Sequence, residues 1–497
     1  MYRRFLSTLF CLVLLSLNIQ AQEAKITPLR RVVDLKIGEA KTVDLNNGRT
    51  TTIKLLALDE PRDEFRNAVR EPRVKIEVDG REATLVSANY NLPVTVGNVQ
   101  VDCPITRGYN IGGRRDSWGL TEGKDARFRL WPAGSPWIAP GTFVYPVRQL
   151  WFASDTQMSN EPVFVDAGED PENKSVYYHN GLDIGGAEGM VDIVSATDGL
   201  VVSKAGVILE GHEEDTTPTR ARYDVIYILD DRGWYYRYSH MKSHETNVLL
   251  GERVKMGQKI GELGKEGASG GWSHFHFDIT SRQPSGMWGT EEGYAFYWQS
   301  YVDRYKPGLI AVARPHKIAA VGEQVTLDGG KSRSLAGNIT KFEWLFAYYD
   351  IAEGAVQTRV YERPGIYNEI LRVTDDRGNV DYDFTVVNVI DKSEPDKLPP
   401  TIHPAYSPTF GICPGDPVTF KVRVFRSEEG GESWDFGDGS AHVRTKSHPG
   451  DSHLPDGYTE VVHRFEKPGQ YIVRVEHTAK NGLIAVGHLD VNVEERE

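Results

Sequence analysis

The sequence predicts a multi-domain, mostly β chain. Three observations carry this. At 497 residues the chain is too long for a single hydrophobic core. Its 49 glycines, 26 prolines and 10% aromatic share favour many short strands and turns over long helices. Runs that alternate apolar and polar residues, such as Val74-Lys-Ile-Glu-Val78, recur between turn signals. The expected architecture is an N-terminal β domain, a β-rich central domain and two immunoglobulin-like β-sandwiches.

Residues 1–21 read as an export signal. Arg3 and Arg4 form its charged start, and Phe5 to Leu17 is an apolar run too short to span a bilayer comfortably. Ile19-Gln-Ala21 then supplies a cleavage site. Cys11 lies inside the apolar run behind Thr8-Leu-Phe10, which argues against a lipid anchor. No later segment is apolar over a membrane's thickness. The mature chain is therefore expected to have no transmembrane segment and to be secreted, whether periplasmic, at the cell surface or extracellular. A net charge of −13 argues against nucleic acid and anionic membranes as partners, since both reward positive fields. Cys103 and Cys413 fall in different expected domains, so no disulfide framework is expected.

Residues 22–141 alternate as strands do, and Asp79-Gly80 between two such runs signals a hairpin. The domain is expected to be all-β, either a gate over a neighbouring groove or a spacer. The Gly108 to Gly123 stretch reads as a long ordered loop. Its Arg114 and Arg115 suit a solvated loop better than a carboxylate site.

The chemistry concentrates in residues 142–308. His179-Asn-Gly-Leu-Asp183, Tyr238-Ser-His240, Gly251 to Gly264 and Ser273-His-Phe-His-Phe-Asp278 bring four histidines and two aspartates into a region of strand formers and turns. That is the residue inventory of a zinc site with acid/base groups beside it. A hydrolytic zinc keeps three protein ligands and an open position for water, whose pKa falls to about 7. His274 and His276, two apart on a strand, point to one face, and Phe275 and Phe277 to the other. One imidazole can bind metal while the other stands beside the water. Asn180-Gly181 breaks any helix, so His179 and Asp183 are expected on a loop entering a strand at Leu182–Ile184. His240 ends the aromatic strand that starts at Trp234. Gly251 to Gly264 reads as a structural hairpin, and His212 and His244 as solvated loop residues.

The order H-x-x-x-D, Y-x-H, G-x-x-V-x-x-G-Q-x-I-G and H-x-H-F resembles the lysostaphin-like (LytM-like) zinc metalloendopeptidases, over roughly residues 142 to 285. Phe143-Val-Tyr-Pro-Val147 resembles that family's opening strand, and Ala196 to Val202 the strand and turn after the first ligand pair. The resemblance implies Zn²⁺ held by His179, Asp183 and His276. It implies His274 as general base and His240 as the histidine that stabilises the oxyanion. The substrate class it implies is peptidoglycan, at peptide stems or cross-bridges. Two departures stand out. Residues 160–170 replace the family's usual Phe-Gly-x-Arg-like turn, and a polar insertion, Glu210 to Arg222, interrupts a strand pair as a groove wall or lid. The later aromatic run, Tyr294-Ala-Phe-Tyr-Trp298 with Tyr301, is expected to pack on the domain or, less in keeping with its composition, to stack on substrate.

Residues 309–391 and 401–497 carry turn signals at sandwich spacing. Trp434-Asp-Phe-Gly-Asp-Gly439 followed by Pro468-Gly-Gln-Tyr471 resembles the polycystic-kidney-disease-type (PKD) domains. The first unit resembles them less, having Trp344 and Pro364-Gly-Ile-Tyr367 but no F-G-D-G. Asp435 and Asp438 are expected to cap backbone amides in a turn. The resemblance implies spacers, or adhesive modules for an extracellular glycan or protein. Residues 392–400, charged and proline-rich, read as a semi-rigid exposed linker.

The expected function is a secreted zinc metalloendopeptidase that cleaves peptidoglycan peptides. The residues leave open an extracellular protease on protein substrates, a non-catalytic cell-wall-binding or regulatory protein with the same fold, and an adhesin.

Overall fold

The computed structural model describes residues 26–496 except 66, 89, 110–116, 152–156, 159–161, 165–175, 347–349, 395–396, 428–429 and 449–456. The signal at 1–21, the Arg114–Arg115 pair and most of the 160–170 segment lie outside the described residues.

The N-terminal region folds as two four-stranded sheets over one core. One sheet holds β1 (Arg31–Leu35), β2 (Val99–Thr106) and β3 (Ala126–Pro132). The other is a meander whose last hairpin turns at Asp79 and Gly80, both at positive φ. Its strand Arg73–Val78 buries Val74, Ile76 and Val78 and exposes Arg73 and Lys75, as the alternation requires. This region is no detached spacer. Tyr90 and Trp131 belong to the core of the central domain. Arg30 and Arg129 both reach its Glu291, at 2.7 and 2.9 Å, in a fully buried ion-pair cluster.

The central domain is built on an antiparallel sheet. Its main strands are β4 (Leu182–Gly185), β5 (Gly199–Lys204), β6 (Ile226–Asp230), β7 (Tyr235–Ser239), β8 (His274–Arg282) and β9 (Trp288–Glu291). They run in the order β5-β6-β7-β8-β4, with β9 pairing the second half of β8. Phe275 and Phe277 of β8 are fully buried in the core behind it. Helix α1 (Tyr294–Tyr305) closes that core. Its Tyr294, Phe296, Tyr297, Trp298 and Tyr301 are buried, so these aromatics pack and do not face a substrate.

Three local expectations change. The Gly251 to Gly264 run is not a hairpin: Arg253–Val254 pairs β5, whereas Lys259–Leu263 pairs Asp192–Val194 and Met241–His244 in a separate small sheet. Alternation specifies a buried face but not the partner strand. Phe143 to Val147 makes only one β-bridge, Val147 to Ile193, and is otherwise irregular. His212 and His244 are half-buried rather than solvated, His212 placing Nδ1 3.0 Å from the Tyr235 hydroxyl.

The C-terminal half contains β10 (Gly365–Asp375), β11 (Val380–Ile390), β12 (Thr401–Ser407), β13 (Val418–Phe425), β14 (Gly469–Thr478) and β15 (Ile484–Val493). Trp344 and Trp434 are fully buried, each in the core of its own unit. Asp435 and Asp438 accept the Gly437 and Ser440 amides at 2.9 Å, the expected turn caps. The two units do not hang as beads. β10 pairs β15 in parallel at Ile366 and Ala485, joining them into one nine-stranded sheet. Pro399 and Pro400, expected in an exposed linker, are buried.

Candidate metal centre

Strand register assembles the centre. Asp183 on β4 is the cross-strand neighbour of His276 on β8, and Gly185 that of His274. Period-two alternation puts His274, His276 and Asp278 on one face of β8. Residue 181, in the turn before β4, must be glycine. Its φ is +94°, and a Cβ there would lie 2.6 Å from the Phe277 carbonyl oxygen. That close approach carries His179 over the end of the sheet. His240 follows β7 in the left-handed region, at φ +63°, and its amide donates to Asp224 at 3.2 Å.

The sequence-predicted residues His179, Asp183, His240, His274 and His276 all come together here. None is more than 6% exposed. His179 Nε2, Asp183 Oδ1 and His276 Nδ1 form a triangle with sides of 2.8, 2.9 and 3.1 Å. A tetrahedral ion with ligands at 2.0–2.1 Å would separate its donors by roughly 3.3 Å, so the triangle is slightly tight for zinc. Among the described residues these three form the only such group of potential metal ligands.

Protonation supports the fit. Asp278 Oδ2 lies 3.0 Å from His276 Nε2 and can only accept, so Nε2 carries the proton. His276 Nδ1 then turns a bare lone pair toward the Asp183 carboxylate at 2.8 Å. Two acceptors at that distance repel; a metal ion between these two groups removes the repulsion, as a second ring proton would. Burial raises the Asp183 pKa, but His179 and His274 outweigh it and hold the carboxyl well below the usual range.

The other two histidines are fixed the same way. His274 Nδ1 donates to the Trp272 carbonyl at 2.9 Å, which leaves Nε2 as an acceptor 3.5 Å from Asp183 Oδ2. Burial drives the His274 pKa down to about 3, so its neutral base form prevails. His240 Nδ1 donates to the Glu266 carbonyl at 2.7 Å, with Asp224 Oδ2 3.4 Å away. The His240 and His274 rings are 4.7 Å apart. Burial lowers the His240 pKa and Asp224 opposes it.

Sequence reasoning missed Asp278, Asp224 and Trp272. Asp278 was legible, two residues beyond His276 on the same strand face. Asp224 had no local signal. It meets His240 only because β6 and β7 are neighbours, and Arg222, the last residue of the polar insertion, pairs with it at 2.6 Å. The body of the insertion packs at Trp288, whose indole donates to the Thr216 carbonyl at 2.9 Å.

The model of peptidase family M23 matches residues 177–286, and PKD domain models match residues 308–389 and 405–487. The chain carries an M23 peptidase domain followed by two PKD domains. Among solved structures it is similar to the PKD1 domain of the Vibrio cholerae metalloprotease PrtV, at 26% identity over 17% of this chain and 95% of that one, with a TM-score of 0.14. It is similar to the catalytic domain of the prophage-encoded M23 protein EnpA from Enterococcus faecalis, at 23% over 22% and 74%, TM-score 0.17. It is also similar to the antimicrobial peptidase lysostaphin from Staphylococcus simulans, at 18% over 41% and 81%, TM-score 0.19. No curated protein matches the chain. The five site residues all lie within the M23 match.

Proposed function

We propose that this protein is a secreted zinc metalloendopeptidase that hydrolyses peptide bonds in peptidoglycan stems or cross-bridges. The observation that carries the reading is the convergence of His179 Nε2, Asp183 Oδ1 and His276 Nδ1 beside two buried histidines, His274 and His240, each held at Nδ1 by a backbone carbonyl. His179, Asp183 and His276 would hold the zinc. Bound zinc supplies Lewis acidity to the scissile carbonyl. His274 Nε2, neutral and aimed into the centre, takes the proton of the attacking water. His240 donates to the developing oxyanion from Nε2 once it is protonated, a state that burial disfavours and Asp224 favours. Its Nδ1–H is already held by the Glu266 carbonyl. A preorganised donor of this kind is worth about 3–4 kcal/mol of barrier. The PKD domains fit an extracellular setting, with a glycan or protein as their partner. Among the described residues no helix is long and apolar enough to cross a membrane.

The test is mass spectrometry of fragments released from purified peptidoglycans of different cross-bridge types, with zinc-loaded chain and His274→Ala as control. New peptide termini from wild type alone support the reading. Intact peptidoglycan alongside cleavage of a protein panel would move the activity to extracellular proteins.

A further inference from the structure

The second PKD unit touches the active-site turn directly. The Gly271-Trp-Ser273 turn leads into His274, and two side chains of the sandwich hold it. Arg423 of β13, fully buried, donates from Nη1 to the Gly271 carbonyl at 2.8 Å. The Tyr458 hydroxyl accepts the Ser273 amide at 2.6 Å. Between these two anchors the Trp272 indole lies flat on the His274 imidazole, with centroids 3.6 Å apart and planes 15° apart. Trp272 also meets His403 of β12, with ring centroids 5.4 Å apart, and His403 meets Phe425 of β13 at 5.1 Å. Burial keeps His403 neutral, its pKa falling to about 3, so the ring serves as packing. The same two strands hold the other turn at the centre, the one after β4. Lys421 Nζ donates to the Glu188 carbonyl at 3.1 Å and Ser407 Oγ to that of Met190 at 3.3 Å. Ser273 Oγ ties the two turns together at the Gly186 carbonyl, at 2.8 Å.

From this geometry we propose that the second PKD domain is a working part of the peptidase site. Arg423 and Tyr458 are positioning residues that hold the 271–273 turn, and Trp272 is the positioning residue that fixes the His274 ring. The inference rests on His274 as the base. The physical reason is preorganisation. The Nδ1–H bond to the Trp272 carbonyl sets one direction of the imidazole but leaves it free to tilt about that axis. A flat indole at 3.6 Å removes the tilt, so Nε2 stays aimed at the centre. Misplacing a catalytic group by about 1 Å can cost roughly 100-fold in rate. A domain that elsewhere serves as a spacer would thus act here as the wall of the catalytic pocket.

The experiment uses the full zinc-loaded chain and the variants Trp272→Ala, Trp272→Phe and Tyr458→Phe. Each is measured for zinc content, thermal midpoint, kcat, KM and the ¹³C-histidine spectrum. The His274 ring signals, assigned by their loss in His274→Ala, are expected upfield in wild type because the indole ring current covers them. Trp272→Ala is expected to abolish that shift and lower kcat at least tenfold, with KM within threefold and one zinc retained. Trp272→Phe should restore most of both. Tyr458→Phe, a change made in the PKD domain, should weaken the shift and lower kcat about threefold. An unchanged His274 signal and kcat in Tyr458→Phe would overturn the proposal, as would a Trp272→Ala effect confined to KM or to zinc loss. If the wild type cleaves nothing, the peptidase reading fails while the spectrum still decides whether the PKD domain sets the His274 ring.

Discussion

Replacing Asp278 by Asn should weaken zinc binding 10- to 100-fold while leaving the three ligands in place. The carboxylate does two jobs. It accepts the Nε2–H of His276 at 3.0 Å and pairs with Arg237 Nη1 at 3.3 Å. Burial works against its ionisation, but the His276 bond and the Arg237 charge outweigh it and keep Asp278 ionised. An ionised acceptor on Nε2–H raises the basicity of Nδ1, the atom offered to the metal. Asn preserves the shape and one acceptor but removes the charge. Hydrogen bonds to charged groups contribute about 1.5–3 kcal/mol against about 1 for neutral ones. The difference, about 1–2 kcal/mol, alone predicts a loss of roughly 5- to 30-fold. Loss of such an outer-shell partner typically weakens metal binding about 10- to 100-fold, whereas the half-buried Arg237 loses its carboxylate with or without metal, so that cost falls on stability. The assay is competition with a chelator of known affinity, read as zinc occupancy at equilibrium, beside the thermal midpoint of the metal-free variant. Zinc affinity within threefold of wild type would refute the argument that Asp278 sets the His276 tautomer and basicity. A metal-free variant that has already lost cooperative unfolding would show that the pair with Arg237 serves the fold instead.

Other expectations follow from the same geometry. His179→Ala and His276→Ala should lose zinc and activity together, whereas His274→Ala should retain zinc and lose at least 100-fold in kcat, measured by metal analysis and turnover on one preparation. Cys103, whose thiol burial pushes up to about 12, should resist alkylation in the folded chain while Cys413 reacts, as read by peptide mass spectrometry. Asp490→Asn should raise the thermal midpoint at pH 8 but not at pH 4. Burial raises the folded pKa of Asp490 to about 7, against an unfolded value near 4, so the native state binds the extra proton and wild-type stability falls as pH rises between them. The full penalty above pH 7 is at most about 4 kcal/mol, and an Asn variant no more stable than wild type at pH 8 would refute it.

Parts of the centre were legible because they are local, while the ligand set and the roles of His274 and His240 rested on the family resemblance. His274 and His276 share a face by strand period alone, and Gly181 marks the turn that lifts His179 toward Asp183. The Asp435 and Asp438 caps follow from turn chemistry within four residues. What was not legible depends on which distant segments become neighbours. Alternation in Gly251 to Gly264 reports a buried face and is silent on the partner, so a hairpin and two separate pairings look alike. The parallel contact of Ile366 with Ala485 leaves no trace in either strand. Arg423 reads in sequence as one charged residue in a strand, yet it is fully buried and donates to a carbonyl in another domain.

That difference bears on how the chain can be divided. Sequence periodicity places boundaries near residues 141, 308 and 400, and each unit has the strand count of a separate fold. The buried polar groups cross those boundaries. Buried Glu291 would lose both Arg30 and Arg129 if the N-terminal region were removed from the peptidase, although Arg129 would keep Asp102, and the Gly271 carbonyl would lose Arg423 if the last sandwich were. A buried charge deprived of its partner costs about 3–5 kcal/mol, which rivals the whole stability of many domains. Exposed to water, the same groups would be solvated, but the apolar surface around Trp131, Tyr305 and Phe410 would then be exposed as well. The peptidase, the N-terminal sheets and the sandwiches therefore stabilise one another, and the geometry of His274 depends on residues that its own domain does not contain.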